Sequence, residues 1–220
     1  SVSIGSVNSI KNVKEIRFPH SLGLLYSSFT YFLGFKVNSG EYKLMGLAPY
    51  GTPRFKNIIL EKLIDLKTDG SFRLNMDYFD FAVGLRMTNA KFSDLFNIKS
   101  RESEEEKLTQ EHMDLAASIQ SVIEEIILKI CDSLFDEYNK ENLCLAGGVA
   151  LNCVANGKLL REGKFSNIWV QPGAGDAGGA LGSALALWHM ELVKPRFMKM
   201  PDAMSGSFLG PDFSDKEIEL

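Results

Sequence analysis

Apolar residues follow a helical period in two long stretches and form short unbroken runs in two others, and these patterns predict most of the chain's elements. Between Ser21 and Phe35 they fall at Leu22, Leu25, Tyr26, Phe29, Phe32 and Leu33, a helix capped by Ser21 and ended by Gly34. The longest pattern runs from Leu108 to about Tyr138. Leu115, Ile119, Val122, Ile126, Ile130 and Leu134 follow in steps of 4, 3, 4, 4 and 4, with Ala116, Ile123 and Ile127 widening the stripe. A long, mostly buried helix is predicted.

The short runs are Leu143-Cys144-Leu145-Ala146 and Ile168-Trp169-Val170. Each reads as a strand and each is followed by a glycine turn and a helix, the first helix reaching Leu160 and the second Met190. Strand, glycine turn and helix, twice over, is the signature of an α/β layer. Earlier, Lys62–Leu66 and Phe72–Leu74 flank the turn Thr68-Asp69-Gly70-Ser71, a hairpin signal. Gly40–Gly51 reads as a helical turn or two closed by a loop marked by Pro49 and Gly51. Glu102, Glu104, Glu105 and Glu106 are predicted as an acidic, solvated entry to the long helix. From Val193 to Pro211 no period is found, as in a linker.

Composition narrows the classes. With 220 residues, 45% of them hydrophobic, the chain can bury a core without crosslinks. Lys and Arg number 24 against 28 Asp and Glu, a net charge of −4 with the cations scattered, which argues against a nucleic-acid partner. No window of 18 apolar residues and no signal-peptide pattern is present, so no membrane partner and a cytoplasmic location are expected. Cys131, Cys144 and Cys153 are expected as reduced, small core residues. The 19 glycines are unevenly placed: none lies between Arg86 and Ala146, and nine lie between Gly147 and Gly182. Any chemistry is therefore expected in the second half.

Both βα junctions put glycines where unbonded N–H groups and a helix dipole make an anion site. At Gly147-Gly148, backbone could approach a phosphate, and Asn152 could offer an amide to a phosphate or ribose; a turn whose glycines serve only packing is the competing reading. Gly173-Ala174-Gly175-Asp176-Ala177-Gly178 satisfies G-x-G-x-x-G, yet a carboxylate inside the loop and the lack of a following strand with a ribose-binding acid count against a dinucleotide turn. A carboxylate beside a phosphate loop suits an intervening divalent cation. On spacing alone, Asp176 as a helix N-cap is the stronger reading. His20, His112 and His189 are isolated and expected to be structural or exposed, and no nucleophile elbow is present.

Read jointly, Phe18-Pro19-His20-Ser21-Leu22-Gly23-Leu24-Leu25-Tyr26, Gly40–Gly51 (GEYKLMGLAPYG), Leu145–Asn152 (LAGGVALN) and Pro172–Gly178 (PGAGDAG) resemble the successive motifs of O-carbamoyltransferases of the nodulation-protein U and antibiotic-carbamoylating type. GEYKLMGLAPYG is the most specific, since neither a Rossmann nor a sugar-kinase reading asks for it. The resemblance implies an α/β fold, an actin-like (ribonuclease-H-like) ATPase lobe with a mixed sheet and flanking helices. Residues 1–192 would form the second lobe of the carbamoyl-transfer domain, with an irregular hairpin-containing part about 52–100. Residues 193–220 would lead towards a C-terminal domain that makes carbamoyl adenylate from carbamoyl phosphate and ATP.

The implied activity is transfer of the carbamoyl group from that adenylate to a hydroxyl of a small-molecule acceptor, with ATP and a divalent metal ion, iron by expectation, as cofactors. Residue by residue, Asp176 would ligate the metal, Gly147, Gly148, Asn152 and Gly175 would line the nucleotide, and Glu41 and Lys43 would form the catalytic polar wall. The family's histidine ligands, an H-x-x-x-H motif in the other lobe, are not in this sequence, so the chain reads as an excised middle piece, inactive alone. The expected partners are the other lobe and the C-terminal domain of the same polypeptide, and a second copy in a homodimer. An actin-like or sugar-kinase-like ATPase and a non-catalytic nucleotide-binding interaction domain remain as alternatives.

Overall fold

The structure, a computed structural model, describes residues 1–197, 203–208 and 210–219. Strands β1 (Val2–Ser6) and β2 (Ser9–Lys14) form an antiparallel hairpin for which the sequence patterns gave no assignment. Helix α1 (Leu22–Phe32) starts where predicted: the Ser21 side chain accepts from Leu24 N–H, and Gly34 takes φ +76° just past its end. Ser28 and Thr30 bond back to the carbonyls of Leu24 and Tyr26, so α1 can be buried even at its polar positions. Helix α2 (Glu41–Leu47) runs into a 3₁₀ turn at Ala48–Tyr50.

A short helix α3 (Lys56–Ile58) continues through a π-turn into the predicted hairpin, β3 (Ile64–Leu66) with β4 (Phe72–Leu74). After α4 (Ala90–Phe96) comes α5 (Gln110–Tyr138), the long helix. At about 1.5 Å per residue α5 is roughly 43 Å long and serves as the beam on which the rest packs. Leu115, Ile119, Val122 and Ile126 of its stripe are fully buried, against Leu25, Phe29, Phe32, Phe92 and Phe96. Phe92 meets Phe29 and Phe96 with ring centroids 5.0 and 5.1 Å apart, both edge to face, the arrangement that ring quadrupoles favour.

Past Tyr138 come β5 (Asn142–Leu145), a 3₁₀ turn at Gly148–Leu151, α6 (Cys153–Glu162), β6 (Asn167–Val170) and α7 (Ala177–Ala186), which ends in a π-turn at Leu187–Glu191. β5 and β6 pair in parallel, Leu143 opposite Ile168 and Leu145 opposite Val170. Leu143, Leu145 and Ile168 pack against a small second core of Cys131, Leu159 and Phe165. A last short helix, α8 (Asp215–Ile218), lies in the segment read as a linker. Met198, Met200 and Pro201, on which part of that reading rested, lie outside the described residues.

Several expectations are corrected. In place of a mixed sheet, the described residues form three separate two-stranded sheets, two antiparallel and one parallel. Each pair is held to α5 instead of to its neighbours: Lys14 of β2 pairs with Glu137, while the Gly70 turn lies so close to Ile130 that an added Cβ would sit 2.5 Å from its nitrogen. Only Cys131 is a core cysteine, its thiol pushed up to about 12 by burial. Cys144 and Cys153 are exposed, Cys144 because strand alternation turns it to the face opposite Leu143 and Leu145.

Nor do the acidic residues after Ser100 enter the long helix, whose first turn contains only Glu111. They sit on a loop wrapped around Arg101, a buried guanidinium that donates to the carbonyls of Leu33, Glu104 and Glu106. Thr109 and His112 cap the helix instead, as a reciprocal box.

The segment after α2 is tied to α5 by Asp114, 5% exposed, which accepts from Thr52 N (2.9 Å), Gln110 Nε2 (3.0 Å) and Arg54 Nε (2.7 Å). Burial alone would raise the carboxyl's pKa; these bonds outweigh it and hold it below the ordinary value. Its contribution to stability is therefore complete above the unfolded value of about 3.9 and is lost as pH falls through the folded one. Asp114→Asn is expected to cost about 2 kcal/mol at pH 7 and less at pH 3. Urea unfolding at both pH values checks this, and equal losses at the two would rule it out.

Candidate functional site

The carboxyl ends of parallel strands open onto the usual ligand crevice of an α/β layer. Here both glycine turns stand at that edge and touch. Gln171 N–H donates to the Leu145 carbonyl (3.1 Å), and Gly147 N–H donates to the Ala174 carbonyl (2.7 Å), which binds the loop after β6 to the loop after β5. Gly147 requires its residue type through φ +101°. Gly178 requires it by close approach, since a Cβ would lie 2.2 Å from the Gly173 carbonyl oxygen. The added Cβ test gives a different answer at Gly148, which meets nothing within 4 Å, and at Gly175, where only Leu151 Cδ1 comes within 4.0 Å. Neither shows a positive φ, so these two glycines leave bare backbone at the mouth of the crevice.

Asp176 stands at the N-terminal position of α7, exposed, with helical φ and ψ, and its carboxylate caps no backbone N–H. The capping role that spacing favoured is thus not taken up. As one uncommitted carboxylate at this sheet edge it could serve as a cation ligand; among the described residues no three His, Cys, Asp or Glu side chains converge, so it would be one donor of a shell.

Asn152 is turned the other way. It is buried and caps α6, its Oδ1 accepting from Ala155 N–H (3.0 Å), while Nδ2 donates to Gln120 Oε1 (3.0 Å). Its amide serves the interior. Glu41, in the first turn of α2, accepts from Ser27 Oγ (2.7 Å) and Asn38 N–H (3.0 Å) and stands close enough to Tyr26 that, after burial, its charge is the next cause raising that phenol's pKa. Lys43, two residues on, points to the opposite side and pairs with Glu104, whose carboxylate raises its pKa. The structure joins the turns that carry Gly147, Gly148, Gly175 and Asp176, turns Asn152 inward behind the first of them, holds Glu41 on Ser27 and Asn38, and pairs Lys43 with Glu104.

The remaining motifs also meet here. Val149 Cγ2 lies 3.5 Å from where a Cβ on Gly23 would stand, and Cys153 Sγ lies 3.9 Å from Met45 Sδ. The three histidines play other parts: His20 Nδ1 accepts from Leu74 N–H, His112 caps α5, and His189 lies 3.0 Å from the Lys194 carbonyl. The residues that sequence reasoning passed over are polar ones on the buried face of α5, Gln120 above all. A polar side chain among Ile119, Val122 and Ile123 must find partners inside, and that was the available signal.

The family model described as Carbamoyltransferase N-terminus matches residues 1–185. The uncharacterized protein sll1178 of Synechocystis sp. is 63% identical over 98% of this chain. Nodulation protein NolNO of Sinorhizobium fredii and nodulation protein NolO of Bradyrhizobium diazoefficiens are each 36% identical, over 99% and 100% of it. The chain spans 35%, 30% and 37% of the length of these three relatives. A family match over residues 1–185, in a chain whose two glycine turns are joined at one sheet edge, leads to one conclusion: the chain belongs to the carbamoyltransferase family, and corresponds to its N-terminal part.

Proposed function

We propose that this chain is part of an ATP-dependent O-carbamoyltransferase, with a nucleotide bound over the glycine turns at the carboxyl edge of β5 and β6. In this reading residues 1–192 are an actin-like lobe and 193–220 lead to a carbamoyl-phosphate domain. The carbamoyl group passes from carbamoyl adenylate to a hydroxyl of a small-molecule acceptor. One observation carries it: Gly148 and Gly175 present open backbone without conformational need for glycine, beside the uncommitted carboxylate of Asp176. Backbone N–H groups of the two joined glycine turns suit the phosphates, and each turn leads into a helix whose positive end adds to the attraction.

A divalent ion held in part by Asp176 would supply charge neutralisation between that carboxylate and the phosphate. Glu41, on the first turn of α2 and bonded to Ser27, is the candidate to hold an acceptor hydroxyl; Lys43, engaged with Glu104, is assigned to the supporting wall. In the full-length protein, carbamoyl phosphate is expected to stimulate AMP release from ATP only when a hydroxyl acceptor and a divalent ion can complete the cycle. AMP release indifferent to carbamoyl phosphate would favour a kinase-like ATPase and overturn the reading.

A further inference from the structure

Gln120 of α5 is 4% exposed and uses its whole amide. Oε1 accepts from Tyr26 Oη (2.9 Å) and Asn152 Nδ2 (3.0 Å), and Nε2 donates to Asn152 Oδ1 (3.1 Å) and Glu124 Oε1 (3.0 Å). Two donors and two acceptor positions are filled, so the side chain has one orientation. The direction of every bond is forced from both ends. Asn152 Oδ1 must face the Ala155 N–H it caps, which turns Nδ2 to Gln120 Oε1, and the Glu124 carboxylate can only accept, which fixes Nε2.

Asn152 is also where the first glycine turn ends. Its N–H donates to the Val149 carbonyl (3.0 Å), and Asn156 Nδ2 donates to the Ala150 carbonyl (2.7 Å), so the 148–151 turn hangs from this residue. Apolar packing between α5 and α6 tolerates small slides, because dispersion is non-directional. The paired amides do not, and a slide of α6 would move Gly147 and Gly148 with it.

We propose that Gln120 is a positioning residue for the nucleotide: through the amide pair with Asn152 it fixes the backbone of the first glycine turn, from a helix that itself stands behind the crevice. The inference rests on the nucleotide reading above. Tyr26, which donates to the same oxygen, is the outer support of the pair. The burial that raises the Tyr26 phenol keeps it a neutral donor in that role.

The test is titration calorimetry of the full-length protein with ATP and magnesium, beside thermal unfolding. Gln120→Met keeps the volume and removes the amide, leaving Asn152 Nδ2 and Tyr26 Oη unpartnered. It is expected to raise the Kd for ATP about tenfold, the size of one unpaired buried donor. Ile123→Val, which thins the same core without removing a hydrogen bond, is expected to lower the melting temperature and leave the Kd within twofold. Tyr26→Phe, which keeps the ring and removes only the hydroxyl, is expected to raise the Kd by about threefold, and carries the test should Gln120→Met fail to fold. Kd values unchanged in both amide-network variants overturn the inference while leaving the nucleotide reading intact. No heat from the wild-type protein overturns the nucleotide reading, and this inference with it.

Discussion

Asp176→Asn in the full-length protein is expected to lose carbamoyl transfer, and the AMP released with it, by at least about a hundredfold, while carbamoyl adenylate formation, read as the first-turnover burst of pyrophosphate from ATP, stays within a few-fold of wild type. The two activities separate because the carboxylate stands at the edge where β5 and β6 end, whereas adenylate formation belongs, in this reading, to a domain outside these residues. Asparagine keeps the size and the helix-start geometry but loses the charge that a divalent ion would need. The exposed side chain caps no N–H, so the fold should not notice the change. Metal content and product carbamate measured side by side decide the matter: full metal occupancy with undiminished transfer in the variant would remove Asp176 from the site.

Gly51→Ala is expected to be the most destabilising single methyl group in the chain's central motif, at about 3 kcal/mol, or roughly 6–12 °C in melting temperature. At Gly51 a Cβ would lie 2.0 Å from the Met113 carbonyl oxygen and 2.2 Å from its carbon. Those are backbone atoms of α5, so no side chain can swing aside. Relief requires lifting the Ala48–Tyr50 turn from the helix, which breaks the Thr52 bond to Asp114, the Phe55 N–H bond to Ser118 Oγ (3.0 Å) and the Gln110 bond to the Tyr50 carbonyl (3.1 Å). Its control lies five residues earlier. Gly46 sits in α2 with nothing within 4 Å of an added Cβ, and Gly46→Ala is expected to be neutral or to stabilise by up to about 1 kcal/mol. Calorimetric melting of the two variants checks the pair, and equal effects would show the close approach at Gly51 to be unimportant.

These two glycines show what was legible. GEYKLMGLAPYG marks a helix and a turn from its residues, and α2 with its 3₁₀ extension follows. Nothing local distinguishes Gly46 from Gly51, because the difference is made by Met113, far along the chain. The glycine turns behave alike. G-x-G-x-x-G matches a dinucleotide loop in spacing alone, a reading that the carboxylate inside the loop counts against, and in the structure Gly178 is a packing glycine against Gly173 while Gly175 is left open. Asn152 differs in another way: after two glycines it reads as a ligand group, and the structure turns its amide to Gln120 and Ala155. The partner that decided its direction is on another helix, and no spacing within LAGGVALN could indicate it.

By itself the sequence determined the elements that arise from local periodicity and capping. These are α1 with its Ser21 cap, α5 with its apolar stripe, the β3–β4 hairpin, and the two strand–turn–helix units whose glycines mark where anions could be held. Backbone sterics and the match of 3.6- and 2-residue periods to a buried face fix these within a few residues of chain. Only the tertiary structure decided which of the marked residues share a site. The parallel pairing of β5 with β6 joined the two glycine turns, the clamp from Gln120 turned Asn152 inward, and Glu104 drew Lys43 aside. Each of those outcomes is a directional hydrogen bond or close approach between distant segments, and such bonds form only after the apolar faces have brought the segments together.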